Sequence, residues 1–291
     1  MTNNCQWSAD GPPGASYNDT NSWVTYASQH GYPTLAIDRL GSGNSTRPDP
    51  ILVVQTPTEA EVAHQIIQMA RAGSAPFPRK FTKIVVVGHS MGSIVTQLLS
   101  VNHPTDADAI ILTGYSRYIV NFLPGIFATA GLLPAAVVQP EKYGNLPVGY
   151  LEPSIESGVK YLFWYNPYSN NNGTFYDPNW PHYDYSLRQA ITVGEGATGA
   201  VAAATSIFKG PVLVITGQQD ALFCGTLALP ITGYGQCVGG PLNYLAGTGS
   251  LYPYAKYYWY AVPNANHCWQ FHYSAQLGFQ VTHNWLTSMN F

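Results

Sequence analysis

Short apolar runs and longer amphipathic stretches alternate along most of the chain. Five apolar runs, each bounded by turn-forming or polar residues, predict buried strands at Tyr32–Asp38, Thr82–Gly88, Asp108–Gly114, Gly210–Gly217 and Tyr257–Pro263. Helical periodicity follows the first two runs and returns near the end of the chain, over residues 269–289. Alternation of this kind is typical of a mostly parallel sheet covered by helices.

The segment between the third and fourth runs departs from this pattern. Residues 117–204 are first apolar and broken by proline, and then dense in aromatic and turn-forming residues. An insertion of this length exceeds an ordinary connection. We therefore predict a core domain of residues 1–116 and 205–291, with a lid over one end of the sheet whose rings suit an apolar ligand. A packed subdomain without a binding role is the alternative.

The second apolar run leads into a motif with chemical meaning. Residues 88–92 read GHSMG and match the pattern G-x-S-x-G, with a strand before the motif and an amphipathic helix after it. In that context the motif predicts a nucleophile elbow, a sharp turn that holds the hydroxyl of Ser90 above the sheet edge at the positive end of a helix. Gly88 and Gly92 are expected because side chains there would collide with the neighbouring strand and helix.

A serine nucleophile needs a base, and the base needs an orienting acid. In this architecture the order along the chain is serine, acid, histidine. Asp220 follows the fourth apolar run and His267 follows the fifth, so both are expected in loops at the edge of the sheet where ligands bind. His272 is a rival base that we place inside the final helix. The side chain of His89 is expected to point away from Ser90.

Composition excludes several other classes of function. Charged residues make up 9% of the chain, and the net charge of −3 offers no basic surface for nucleic acid. No apolar run approaches the roughly 20 residues that span a bilayer. Cysteines and histidines show no zinc-site spacing, and serine hydrolysis needs neither metal nor cofactor, so none is predicted.

The cysteines suggest one disulfide. Cys224 and Cys237 flank a loop rich in glycine and proline, and a bond between them is favoured over two buried thiols. The sequence leaves open whether Cys5 and Cys268 pair.

A low lysine content, the cysteines and three glycosylation sequons favour a secreted protein. The sequons begin at Asn18, Asn44 and Asn172, although such triplets also arise by chance in asparagine-rich chains. The opening residues MTNNCQWSAD are polar and are no signal peptide, so secretion would require a leader that this chain lacks.

These motifs resemble those of the α/β-hydrolase superfamily, and more closely those of its fungal secreted-type members. The shared blocks are GYPTLAIDRLGSGNS, GHSMG and an HCW around the histidine, and the resemblance covers roughly residues 23–291, most weakly across the lid. It implies an eight-stranded doubly wound sheet with the lid between the sixth and seventh strands. It also implies a triad of Ser90, Asp220 and His267, with the backbone N–H of Met91 as half of an oxyanion hole.

The amino-terminal part departs from that family. Family members carry three strands before the one that corresponds to Tyr32–Asp38, and a His-Gly turn after the third supplies the other oxyanion N–H. Here 31 residues precede Tyr32, so these strands are expected to be missing. The sole His-Gly pair, His30-Gly31, leads into the wrong strand, and the GPPG at residues 11–14 is one candidate for the missing donor.

Two hypotheses for function follow. The first is a serine hydrolase that cleaves a carboxylic ester or lactone of a fairly apolar small molecule through an acyl-enzyme. The second is a non-hydrolytic, ligand-binding protein of the same fold, because a fold does not fix a function. An incomplete oxyanion hole motivates the second hypothesis, since loss of one donor typically lowers turnover by about 10²–10³-fold.

Overall fold

The computed structural model describes Trp7 and residues 19–118, 123–164, 175–199, 203–225, 235–240 and 242–291. The described chain begins with two helices, α1 (Trp23–Gln29) and α2 (Thr56–Ala72). A strand-helix-strand unit follows, made of β1 (Val85–His89), α3 (Met91–Asn102) and β2 (Ala109–Thr113).

An insertion comes next and forms a small sheet of its own. Its elements are α4 (Leu123–Ala130), β3 (Leu132–Pro134), α5 (Ala135–Val138), α6 (Pro140–Tyr143), β4 (Tyr150–Pro153), α7 (Glu156–Phe163), α8 (Trp180–Ser186), β5 (Ile191–Thr192) and α9 (Val193–Gly199). Strands β3, β4 and β5 pair antiparallel in that order. The insertion thus has regular structure within its described residues, and its role as a lid stays a prediction.

The last third of the chain returns to the first sheet. Its elements are β6 (Pro211–Gly217), α10 (Ala221–Cys224), α11 (Tyr244–Thr248), β7 (Lys256–Val262) and α12 (Ala275–Ser288). Strands β1, β2, β6 and β7 form a parallel sheet in that spatial order, so the insertion lies between two neighbouring strands, β2 and β6. The predicted mostly parallel sheet is confirmed, and its carboxyl ends share one edge. No helix of the described residues is long and apolar enough to cross a membrane.

Helices cover both faces of this sheet because alternate residues of β2 and β6 point to opposite sides. On one face lie Ile110, Leu112, Val212 and Val214, and on the other lie Ala109, Ile111, Leu213 and Ile215. Ile94 of α3 packs on the first face, while Trp23 of α1 and Phe279 of α12 pack on the second. The sheet is therefore doubly wound, as the resemblance implies.

The strand predicted at Tyr32–Asp38 is not formed. Residues 32–39 are irregular, and the side chains of Leu35 and Ile37 are 60% and 40% exposed. A strand persists only where a neighbour satisfies its N–H and C=O groups. Among the described residues no strand pairs with this segment, and β1 is an outer strand of the four-stranded sheet. The eight strands implied by the resemblance therefore reduce to four in the parallel sheet of the described chain.

The final helix begins later than predicted. Residues Trp269–Phe271 form one turn of 3₁₀ helix before α12, and a bridge to Tyr176 draws His272 into extended backbone. The ring of His272 is buried there, with Nδ1 2.9 Å from the carbonyl oxygen of Cys268. Burial lowers the pKa of His272 to about 4. Its placement within the helix was wrong, and the ring supports a buried turn.

Cys224 and Cys237 form the predicted disulfide. The bond closes a loop whose end lies against the connection after β6, because the N–H groups of Gly235 and Cys237 donate to the carbonyls of Gln219 and Gln218. The free thiol of Cys268 is buried, and Cys5 lies outside the described residues.

Removal of this disulfide should destabilise the protein. We expect the double variant Cys224→Ala/Cys237→Ala to lose about 3 kcal/mol of unfolding free energy, because the unfolded chain regains the entropy that the closed loop restrains. Urea unfolding with and without reductant measures the effect. Reduced wild type should match the variant, and reductant should leave the variant unchanged. Equal stability of oxidised and reduced wild type would contradict this expectation.

Candidate active site

Ser90 lies at the turn between β1 and α3. Its backbone has φ 55° and ψ −119°, a conformation that costs a residue with a side chain about 1–3 kcal/mol. The backbone N–H of Ser90 donates to the carbonyl oxygen of Thr113 at 2.9 Å, which fixes the turn to the end of β2. Helix α3 begins at Met91, whose N–H has no acceptor within the helix because it belongs to the first turn. The elbow therefore has the predicted local geometry, and the oxyanion role of Met91 stays a prediction.

The two glycines of the motif have different surroundings. A Cβ on Gly88 would lie 2.4 Å from the carbonyl oxygen of Gly92, so the strand and the helix can approach only if residue 88 lacks a side chain. A Cβ on Gly92 would meet no heavy atom within 4 Å. The predicted collision is confirmed for Gly88 and wrong for Gly92, which faces open space above the first turn of α3.

Asp220 follows β6 and caps the amino terminus of α10. Its Oδ1 accepts hydrogen bonds from the N–H groups of Leu222 and Phe223, at 2.9 and 3.1 Å. Its Oδ2 accepts from the hydroxyl of Thr216 at 2.7 Å. Burial by itself raises the pKa of Asp220, but the charge of His267 and the hydrogen bonds outweigh it, and the pKa lies below its ordinary value. The buried carboxylate is therefore ionised at neutral pH.

His267 lies in the connection after β7 and contacts this carboxylate. Its Nδ1 is 2.9 Å from Oδ2 of Asp220. The ring lies between Phe163 of α7 and Phe223 of α10, with centroid distances of 5.3 and 5.6 Å. Because Nδ1–H faces the carboxylate, Nε2 is the nitrogen left to accept a proton. The predicted acid and base are thus brought together by the fold.

Asn266 holds the acid and base loops to each other. Its side-chain oxygen accepts hydrogen bonds from the backbone N–H of His267 at 2.7 Å and of Ala221 at 2.9 Å. Gly217 permits this close approach, since a Cβ there would lie 2.1 Å from the carbonyl oxygen of Asn266. The side chain of Asn266 therefore fixes the spacing between the two loops.

The end of β2 connects the elbow to the histidine. Thr113 accepts the N–H of Ser90, and a Cβ built on the next residue, Gly114, would lie 2.9 Å from Cε1 of His267. Ser90 and His267 therefore approach the same residue pair from two sides. Among the described residues no hydrogen bond joins the hydroxyl of Ser90 to His267, and such contacts are often long when no substrate is bound.

His89 is a member of this site that the sequence analysis set aside. Its ring is buried, with its centroid 4.9 Å from that of His267. Nδ1 of His89 lies 2.8 Å from the hydroxyl of Thr113 and accepts a hydrogen bond from Nε2 of Gln270 at 3.0 Å. Burial, followed by the charge of His267, lowers the pKa of His89 well below its ordinary value. The ring of His89 therefore stays neutral at neutral pH.

The insertion contributes a carboxyl group to this neighbourhood. Burial raises the pKa of Asp184, on α8, to about 6, and the charge of His267 lowers it. The charge of Asp184 in turn helps to raise the pKa of Cys268, after burial of that thiol. Asp184 lies in an aromatic segment without a recognisable motif, so no signal in the sequence pointed to it.

The parallel sheet has helices on both faces and carries a serine on a strand-to-helix turn at its carboxyl edge. This is the architecture of the α/β-hydrolase fold. The sequence model of the alpha/beta hydrolase family matches residues 11–277, and the chain belongs to this family. No curated protein matches it in sequence.

Three solved structures illustrate the shared fold. An esterase from Thermogutta terrifontis has a TM-score of 0.60 at 14% identity, covering 99% of this chain and 86% of its own. A monoacylglycerol lipase from Paleococcus ferrophilus has a TM-score of 0.55 at 16% identity, and the match covers 92% of this chain and 88% of the lipase. A protein described as a non-heme bromoperoxidase from Mycobacterium tuberculosis H37Rv has a TM-score of 0.55 at 17% identity. That match covers 91% of this chain and 85% of the bromoperoxidase. At these identities the likeness shows the fold alone.

The two motif glycines provide a matched test of the elbow. We expect Gly88→Ala to lose about 3 kcal/mol or more of unfolding free energy, because its Cβ meets backbone that cannot move independently. Gly92→Ala should change it by about 1 kcal/mol or less, since alanine favours a helix and meets open space. Urea unfolding of both variants measures the difference. Equal losses would mean that the strand and helix do not approach as described.

Proposed function

We propose that the protein is a serine hydrolase that cleaves a carboxylic ester or lactone of a fairly apolar small molecule. The observation that carries the proposal is the buried 2.9 Å contact between His267 and Asp220, at the sheet edge where the elbow places Ser90. A buried imidazole that contacts an ionised carboxylate, near a serine with strained backbone angles, is the arrangement that activates a hydroxyl.

The proposed reaction proceeds through an acyl-enzyme. Nε2 of His267 takes the proton of the Ser90 hydroxyl as its oxygen attacks the carbonyl carbon. Asp220 keeps the imidazole in the Nδ1–H tautomer and stabilises the cation that forms. The N–H of Met91 donates to the oxyanion, with the positive end of α3 behind it. His267 then protonates the leaving alcohol, and water attacks the acyl-enzyme by the same route in reverse.

Apolar surface on the insertion supports an apolar substrate. Among the described residues of the insertion, the exposed large hydrophobic side chains are Phe127, Leu133, Val137, Val148, Ile155, Leu187 and Val193. Phe163 and Phe223 also stack on the imidazole of His267, so apolar aromatic surface adjoins the proposed base. The esterase and the monoacylglycerol lipase among the structural neighbours agree with ester chemistry.

We also propose that the protein is secreted. A disulfide persists in an oxidising compartment, and Asn44, the sequon asparagine within the described residues, is exposed. The sequons at Asn18 and Asn172, and the GPPG candidate for the second oxyanion donor, lie outside the described residues.

Labelling of the nucleophile tests the proposed chemistry. We expect a fluorophosphonate probe to modify the wild type and a short-chain aryl ester to be hydrolysed, with both reactions lost in Ser90→Ala. Ser186→Ala, which removes an exposed hydroxyl from α8, is the matched control and should leave both intact. Absence of labelling and turnover in folded wild type would overturn the proposal and favour the non-hydrolytic binding protein.

The role of the acid gives a second prediction. Asp220→Asn should lower kcat by about 10⁴-fold, because an amide at this position favours the wrong tautomer of His267. KM should change little, since Asp220 is buried behind the imidazole. Steady-state kinetics on the aryl ester measure this, with circular dichroism as a check on folding. A folded variant that retains a tenth of the wild-type kcat would contradict the assigned role.

A further inference from the structure

Two histidines and a glutamate meet on the surface formed by α2 and the end of α3. Glu61 and His64 lie one helical turn apart on α2, and His103 caps the carboxyl end of α3. Their candidate ligand atoms all lie within 4.8 Å of one another. Nε2 of His103 is 2.9 Å from Oε2 of Glu61, and the rings of His64 and His103 stack with centroids 3.8 Å apart.

The positions of these side chains follow from the packing of the two helices. Residues three apart lie on the same side of a helix, so Glu61 and His64 face the same neighbour. An apolar cluster that includes Ala60, Ile67, Val95 and Leu99 fixes α2 against α3 and holds His103 beside them. The backbone of all three residues is therefore fixed, while Glu61 and His103 keep partly exposed, adjustable side chains.

A buried carboxylate orients His64. Nδ1 of His64 is 2.6 Å from Oδ2 of Asp106, whose side chain is 5% exposed. The other oxygen of Asp106 accepts a hydrogen bond from Nε2 of Gln68 at 2.8 Å. A histidine that donates Nδ1–H to a carboxylate presents the lone pair of Nε2, and metal-binding histidines are commonly fixed in this way. The oriented lone pair on Nε2 of His64 indicates that this ring binds a ligand in addition to its ion pair with Asp106.

We propose that Glu61, His64 and His103 bind a divalent transition metal ion of the zinc class. The ligands are Nε2 of His64, a ring nitrogen of His103 and one oxygen of Glu61, with water in the open position. Two imidazoles and a carboxylate form an established three-residue set for Zn²⁺, whereas Mg²⁺ and Ca²⁺ prefer oxygen ligands alone. A tetrahedral ion needs ligand atoms about 3.3 Å apart, so small side-chain rotations complete the site.

The charge of the cluster also suits a cation. The three side chains include one carboxylate and neither lysine nor arginine. The spacing of histidines along the sequence gave no metal signal because the ligands come from two separate helices.

This site lies apart from the proposed active site. Ser90 precedes the 12-residue helix α3 and His103 follows it, which separates them by about 18 Å at 1.5 Å per residue. A metal ion there joins the two helices and takes no part in acyl transfer. The inference therefore does not rest on the proposed hydrolysis, and each can fail without the other.

Calorimetric titration of EDTA-treated, dialysed protein with ZnCl₂ at pH 7.5 tests the proposal. We expect one Zn²⁺ per chain and a rise in Tm of about 5 °C when free Zn²⁺ exceeds Kd a hundredfold. His64→Gln and His103→Gln should each weaken binding by at least about tenfold, and Asp106→Asn by about 10–100-fold. Circular dichroism of each variant in EDTA checks that it is folded.

His182→Gln is the matched control. His182 contacts Glu156 at 2.8 Å on the surface, with the same pairing as His103 and Glu61 but outside any three-residue cluster of the described chain. The His182→Gln variant should leave the affinity for Zn²⁺ unchanged. The proposal would be overturned if the wild type binds no Zn²⁺. It would also be overturned if His64→Gln and His103→Gln bind Zn²⁺ as tightly as the wild type. Loss of affinity in His182→Gln alone would place the ion elsewhere and also overturn it.

Discussion

The buried contact between Asp220 and His267 is the interaction on which the arrangement of the site depends. A carboxylate removed from water is stable only if its lone pairs are satisfied. Here the hydroxyl of Thr216, two N–H groups of α10 and Nδ1 of His267 supply these contacts. The four donors come from three places along the edge formed by β6 and β7: the end of β6, the start of α10 and the connection after β7. The register of β6 against β7 therefore decides whether the buried carboxylate meets these donors and holds the imidazole of His267.

A second buried charge network holds the segment near the amino terminus. Arg39 donates to Glu59 of α2 at 2.8 Å and also to Glu195 of α9. One cation faces two carboxylates, and burial, although opposed by Arg39, raises the pKa of Glu59 to about 7. Arg39 thus anchors the irregular segment before it through these ion pairs. The pair with Glu195 also attaches the insertion to the core.

The elements predicted best from the sequence are those whose signal is local. The strand, the serine and the helix of residues 82–103 are contiguous, so one motif specified the elbow and its position. Asp220 and His267 could be assigned because parallel strands place their carboxyl ends at one edge. The segment Tyr32–Asp38 was assigned wrongly because an apolar run does not reveal whether a partner strand lies beside it. His272 was misplaced for a related reason, since a tertiary bridge to Tyr176 delays the final helix.

Contacts between distant segments explain what the sequence could not show. His89 was set aside although it precedes Ser90, because its importance comes from the ring of His267 beside it. Ser90, Asp220 and His267 lie in the turns that follow β1, β6 and β7, whose backbone is held by the sheet. Asp184 and Phe163 belong to the insertion, whose own strands form a separate sheet. The insertion nevertheless contacts the site directly, because the ring of Phe163 stacks on that of His267 with centroids 5.3 Å apart. A change in α7 therefore also changes the surroundings of that imidazole.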